Sequence, residues 1–268
     1  QELQLAIQHP ERSDNRQVDE VCRKRGIDPF YFKAAASWAH EETPPIDRNE
    51  VALDQYNLIE FLSKKGLAEI DCLSVLHKCA KADKNLTTGT TAKYSVMPVF
   101  SELFGESNKG AILGGWYPKI IGENKKIEIY MDRPVGFTLN HNHIPIAITT
   151  YGISAPGELM IYQIQGIKPK PIDKKLAATK QKKYYSTWGL EPFNWRAFMV
   201  EVSAELARTV GLHNLAIQSA ANNEWVKKSN NNTAAGFSFE KARAGYDLPA
   251  QQLGFKLGHD NNWRRSVK

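Results

Sequence analysis

ELMIYQIQG, residues 158–166, runs without a break into IKPKPIDKKLAATKQKK, residues 167–183, and apolar periodicity returns only at FNWRAFMVEVSAELARTVG, residues 193–211. The first segment is rich in Ile, Leu, Met and Tyr and follows SAPG, which marks a strand after a turn. The third predicts a helix from Glu191 to Val210, with Pro192 in its first turn, Trp195, Met199, Val202 and Leu206 on its buried face, and Gly211 just past its end. LHNLAIQSA, residues 212–220, is then a strand whose continuous apolar run suits a sheet interior.

Working upstream, KIEIYM, VGFTL and HIPIAITTYGI are short, rich in Ile, Thr and Tyr, and separated by DRP, NHN and SAPG. Together with ELMIYQIQGI they read as a strand meander. Downstream, the tract SNNNTAAG is a polar loop, Asp247-Leu248-Pro249 opens a short helix with Asp247 as its cap, and the tail HDNNWRRSVK predicts a final strand or hairpin. There Trp263 would be buried and Arg264 and Arg265 left in water.

The first 95 residues read differently. Gln17 to Arg25 ends at Gly26, Asp28-Pro29 opens PFYFKAAASWAH, and Asp47 caps RNEVALDQYNLIEFLSKKG, whose Val51, Leu53, Tyr56, Leu58, Ile59 and Leu62 make one apolar face. Gly66 closes that helix, and a further one carries Leu73, Leu76 and Cys79. ADKNLTTGTTAK marks a loop and an internal boundary, and Met97 to Phe104 reads as a short helical piece. The expected fold class is therefore α/β of the α+β kind, with a helical region over residues 1–95 and a mixed, mostly antiparallel sheet flanked by helices over 96–268.

Composition narrows the class. The 268 residues are 42% hydrophobic and 24% charged, ordinary values for a soluble globular protein. No run approaches the roughly 20 apolar residues that span a bilayer, so membrane insertion is not expected. The amino end lacks the features of a signal peptide, and three cysteines, Cys22, Cys72 and Cys79, are too few for a disulfide framework. The expected compartment is the cytoplasm, with the cysteines as small buried hydrophobes.

Charge is concentrated. Seven lysines between Lys168 and Lys183, against Asp173, equal the net +6 of the whole chain, and the remaining 28 basic and 28 acidic residues cancel. Such a segment suits coenzyme A phosphates, an acidic protein or a nucleic acid, with Tyr184, Tyr185 and Trp188 available for stacking, or it is a solvated surface loop. His141 and His143 stand two apart at a turn, as a metal pair would, but no third ligand lies nearby, and they read as loop residues with no metal expected.

The order of three meander strands, helix, strand, helix and final strand pair resembles the GNAT acyltransferase superfamily. VGFTLNHNHIPIAITTYGISAPGELMIYQIQG matches the family's second to fourth strands, FNWRAFMVEVSAELARTVGLHNLAIQSAANN its third helix and fifth strand, and DLPAQQLGF its fourth helix, about half the chain in all. The resemblance implies that the fourth strand splays from the fifth, that its free backbone groups engage an acyl thioester, and that the next helix receives the pyrophosphate of coenzyme A. It implies acyl-CoA, acetyl-CoA for instance, as co-substrate, and the amine of a small molecule or protein as acceptor.

By the same resemblance Ile164, Gln165, Gly166, Lys182, Lys183 and Asn222 would contact the donor. Glu158 would be the base and Tyr246 the acid. The family's usual tyrosine position holds Ala250 here, and Tyr246 lies one turn earlier; the lysine-rich segment stands where the family has a Gly-x-Gly loop. The contrasting expectation is a non-catalytic binding protein whose Lys168 to Lys183 segment meets nucleic acid or an acidic protein.

Overall fold

A computed structural model describes residues 48–64, 70–81, 94–100, 114–116, 128–133, 135–141, 144–167, 194–223 and 238–268, with 19–20, 23–24 and 226–227 besides. The architecture is mixed α/β, built on a seven-stranded, mostly antiparallel sheet. Two helices, α1 (Arg48–Lys64) and α2 (Cys72–Lys81), precede β1 (Tyr94–Phe100), β2 (Gly114–Trp116) and β3 (Glu128–Tyr130). Then follow β4 (Val135–His141), β5 (Ile144–Ala155), β6 (Glu158–Gly166), α3 (Trp195–Thr209) and β7 (Asn214–Ile217). The chain closes with α4 (Phe239–Gly245), α5 (Asp247–Gln252), β8 (Lys256–Leu257) and β9 (Trp263–Ser266).

The large sheet has the order β1-β4-β5-β6-β7-β9-β8, antiparallel throughout except for the parallel step from β6 to β7. A parallel neighbour requires a crossover, and α3 lies on it. Trp195, Phe198, Met199, Val202 and Leu206 of α3 are buried in one core with Val135, Phe137, Leu139, Tyr151, Leu159, Ile161, Leu215 and Ile217 of the sheet. Each such side chain stabilises the fold by roughly 1.5–3 kcal/mol through its burial. The Tyr151 hydroxyl, fully buried, meets Ser203 Oγ at 2.9 Å, so its polar end is satisfied inside that core. The first two helices join the same core: Gln55 Oε1 of α1 accepts from the Ile153 N–H at 3.0 Å, and Asp54 Oδ2 accepts from the Gly157 N–H at 2.8 Å. Gly157, at φ 71°, occupies the left-handed position that turns β5 into β6.

Several expectations are corrected. Met97 to Phe100 is strand, not helix: YSVMPVF is too short for periodicity to separate the two, and Pro98 is tolerated because β1 is an edge. The core of KIEIYM pairs with Gly114–Trp116 in a separate two-stranded sheet. Asn140 and His141 extend β4 instead of forming a turn. Leu53 is 56% exposed, because it lies roughly 200° around α1 from Val51, off the buried stripe. The helix after the lysine-rich segment starts at Trp195, capped by Asn194 Oδ1, which accepts from the Ala197 N–H at 3.1 Å.

The tail is indeed a strand, but its arginines are not left in water. Arg264 pairs with Glu158 and Asp260, and Arg265 with Glu201 at 2.6 Å. Among the described residues no helix is long and apolar enough to cross a membrane. The segments 1–18, 25–47, 82–93 and 168–193, with the expected first helices, the internal boundary and the lysine-rich segment, lie outside the described residues.

Candidate functional site

β6 has two halves. Over Glu158 to Ile161 it pairs with Asn214 to Ile217 in parallel register, and the Gln218 N–H donates to the Ile161 carbonyl at 2.9 Å. Beyond that rung β6 continues to Gly166 with β5, among the described residues, as its ladder partner on one side alone. The register of β5 on β6 steps from Thr150↔Gln163 to Tyr151↔Ile161, so Tyr162 is an extra residue, and such a bulge increases local twist. β7 ends at Ile217, and the chain turns away through 219–222. This opening in the ladder, among the described residues, is the candidate cleft, flanked by the backbone of Tyr162 to Gly166.

Tyr246, at the junction of α4 and α5, enters this cleft. Its hydroxyl oxygen accepts hydrogen bonds from the Ile164 backbone N–H and the Asn223 side chain. Burial raises its pKa well above the usual tyrosine range, the Asp132 carboxylate raises it further, and the two hydrogen bonds and Arg196 offset only part of this. The phenol is therefore protonated throughout the physiological range. Asp247, expected to cap α5, accepts instead from the Ala220 N–H at 3.0 Å and Trp263 Nε1 at 2.9 Å. It ties the start of α5 to the turn after β7 and to β9, and so fixes the direction of Tyr246.

Ile164, Gln165 and Gly166 line the free half of β6. Ile164 is buried, Gln165 is exposed with its Oε1 bonded to Gln163 Nε2 at 2.9 Å, and a Cβ at Gly166 would come no closer than 3.9 Å to Ile146 O and Trp195 Cζ2. The fold thus leaves room for a side chain there. Asn222 is committed elsewhere: its Nδ2 donates to Asp260 O at 2.7 Å and Asn262 Oδ1 at 2.9 Å, holding the turn between β8 and β9. Its neighbour Asn223, 1% exposed, is the asparagine that reaches Tyr246.

Glu158 and Tyr246 are not brought together. Six residues of extended strand, roughly 20 Å, separate Glu158 from Ile164. Glu158, 4% exposed, accepts from Ser154 Oγ at 2.7 Å and from Arg264 Nε at 2.7 Å and Nη2 at 3.2 Å. Asp260 engages the same guanidinium, which holds the Asp260 carboxyl well below the usual range. Lys182 and Lys183 lie outside the described residues.

One residue of the cleft was not singled out from sequence. Arg196 stands in the first turn of α3 with its guanidinium 4.3 Å above the Trp195 ring, its Nε buried without a hydrogen-bond partner, and no carboxylate against it among the described residues. Burial lowers its pKa from the ordinary arginine value, although it remains a cation. A cation in the first turn also opposes the helix dipole. That local conflict was legible in FNWRAF, and it marks a place where an anion would relieve an unpaired charge.

Elsewhere the chemistry is quiet. Burial pushes the thiols of Cys72 and Cys79 up to about 11, which makes them poor nucleophiles at neutral pH. His141 ends β4, and His143 lies outside the described residues. No group of His, Cys, Asp or Glu among the described residues is arranged to hold a metal ion. No protein-family model, no curated protein and no solved structure matches this chain.

Proposed function

We propose that the chain is a GNAT-like acyltransferase that moves an acyl group from an acyl-CoA to the amine of a small molecule or protein. The observation that carries this reading is the end of the β6–β7 ladder at Ile161, which among the described residues leaves the backbone of Tyr162 to Gly166 laddered to β5 alone. β6 and β7 are the fourth and fifth strands of the large sheet, and α3 opens beside them. Preorganised backbone donors there would stabilise the oxygen of a thioester carbonyl as negative charge develops on it. Gln165 and Gly166 would flank the thioester arm.

The orphaned Arg196 Nε fits a phosphate-bearing donor. In this reading Arg196 and the first turn of α3 receive the pyrophosphate, with Lys182 and Lys183 adding charge. The amine nitrogen forms the new C–N bond as the C–S bond breaks; Tyr246, kept protonated by burial, is the residue we assign to give its proton to the departing thiolate, and it regains one from the amine nitrogen, so that no net proton is released.

Calorimetry on the full chain with acetyl-CoA and octanoyl-CoA tests the reading. Saturable binding of either, abolished by removing the coenzyme phosphates, is the expected result. Absence of binding of both at millimolar concentration would overturn it, and salt-dependent nucleic-acid binding in its place would favour a non-catalytic binding protein.

A further inference from the structure

Gln163 and Gln165 stand two apart on the half of β6 that β7 does not ladder, so their side chains share one face of the sheet. Ile164 between them belongs to the core beneath α3, which puts the two glutamines on the opposite face. They form a relay whose direction is fixed by hydrogen-bond chemistry. The Asp132 backbone N–H can only donate, so the atom of Gln163 that meets it at 3.2 Å is the carbonyl Oε1. The other end of that carboxamide is therefore nitrogen, and it donates to Gln165 Oε1 at 2.9 Å. With its oxygen engaged, Gln165 turns its own –NH2 away from Gln163. That nitrogen has no hydrogen-bond partner among the described residues, and Gln165 is exposed where Gln163 is 2% exposed. The segment that orients the relay is itself held on β6, because Arg133, next to Asp132, stacks its guanidinium 3.8 Å above the ring of Tyr162.

Gln165 thus presents a preset, uncharged pair of N–H donors on the face of the sheet away from Arg196. A donor-only group reads an oxygen acceptor, and one that is already oriented loses little freedom when that oxygen arrives. The oxygen must lie close to the reacting nitrogen, because Gln165 adjoins Ile164 and Gly166, whose backbone flanks the thioester in the acyl-transfer reading. We propose that Gln165 selects the acyl acceptor by binding the carbonyl oxygen of an α-amino acyl group, and that Gln163 is the positioning residue that sets the polarity of Gln165. Free amino acids and peptide N-termini share this group. This inference rests on the acyl-transfer reading.

The test uses the full chain saturated with coenzyme A, titrated with glycinamide, glycine and ethylamine and followed by NMR line shifts of the small molecule. Glycinamide should bind about tenfold more tightly than ethylamine, which lacks the oxygen. Glycine binding as well assigns a free amino acid, and glycinamide binding without glycine assigns a peptide N-terminus; both sustain the inference. Gln165→Glu keeps the oxygen that Gln163 engages and replaces only the outward –NH2, so the preference for glycinamide over ethylamine should vanish. Gln163→Glu still accepts from the Asp132 N–H but cannot donate to Gln165, which must turn its –NH2 inward and present its oxygen instead. The preference should vanish there too, with the melting temperature near that of wild type, a result that mere packing by residue 163 would not produce. The inference is overturned if wild type binds none of the three, if it binds ethylamine as tightly as glycinamide, or if either folded variant keeps the preference. Should a variant not fold, the wild-type ratio and the other variant decide. Failure of acetyl-CoA to bind wild type defeats the acyl-transfer reading itself; intact acetyl-CoA binding with no preference for glycinamide defeats this inference alone.

Discussion

The two halves of β6 are built from one apolar stretch, yet they end in opposite states. From Glu158 to Ile161 the strand is bonded on both sides and locked at its start by the ion pair to Arg264 on β9. Among the described residues, the side of Tyr162 to Gly166 that faces β7 has no ladder, and the Tyr246 hydroxyl reaches the Ile164 amide there. Buried backbone groups must be satisfied in both halves. A ladder does so permanently, whereas a single side-chain oxygen can yield to a ligand. The closed half holds the sheet together, and the open half is where the proposed acyl transfer would take place.

The sharpest way to break the closed half is Arg264→Ala, which strands the buried Glu158. We expect a loss of about 3 kcal/mol in urea unfolding, toward the lower end for buried pairs because part of Arg264 stays in water. The same contact has a pH signature. Asp260 holds its proton less readily in the folded state than in the unfolded one, so its contribution is complete above about pH 4 and is lost as pH falls. Acid titration of stability should therefore be shallower in Arg264→Ala than in wild type; identical profiles would show that the contact does not stabilise the fold.

In the open half, Tyr246→Phe should lower kcat by about 100-fold if the phenol donates a proton, with acyl-CoA affinity little changed. The accompanying cost to stability is about 1 kcal/mol, because the Ile164 amide loses its partner. A fall in stability with no change in rate would reduce Tyr246 to a structural plug. Arg196→Ala should weaken acyl-CoA binding by about tenfold, since a charge-assisted contact is lost. Thermal stability without ligand should hold or rise, because the guanidinium has no carboxylate to leave behind.

The smallest effect is the most discriminating. Gly166→Ala should stabilise the empty protein by about 0.5 kcal/mol, as alanine does in place of glycine in a strand with room for Cβ. It should nevertheless weaken donor binding severalfold if a thioester arm passes against that backbone. Unchanged calorimetric affinity would remove Gly166 from the site.

Much of the sheet was legible because its signals are local. VGFTL, IPIAITTYGI and ELMIYQIQG carry strand composition between turn residues, and each became a strand close to its expected bounds. YSVMPVF was misread because seven residues hold too little periodicity, and its strand state depends on β4 beside it. Of the residues named for the site from the order of elements, Ile164, Gln165 and Gly166 are consecutive at the end of β6, and Tyr246 meets the Ile164 amide. Asn222 and Asn223 could not be told apart, since adjacent residues in a turn point in directions that only the surrounding contacts decide. Glu158 looked available as a strand-entry carboxylate, but its partner Arg264 comes from the other end of the domain sequence.

The amino-acid sequence by itself determined the order of elements from β4 to β7, because capping, turn chemistry and hydrophobic period act over a few residues. Only the tertiary structure decided where the β6–β7 ladder ends, which carboxylates are locked in ion pairs, and that Tyr246 meets the Ile164 amide. Those outcomes depend on contacts between residues far apart in the chain, whose energies no local pattern records.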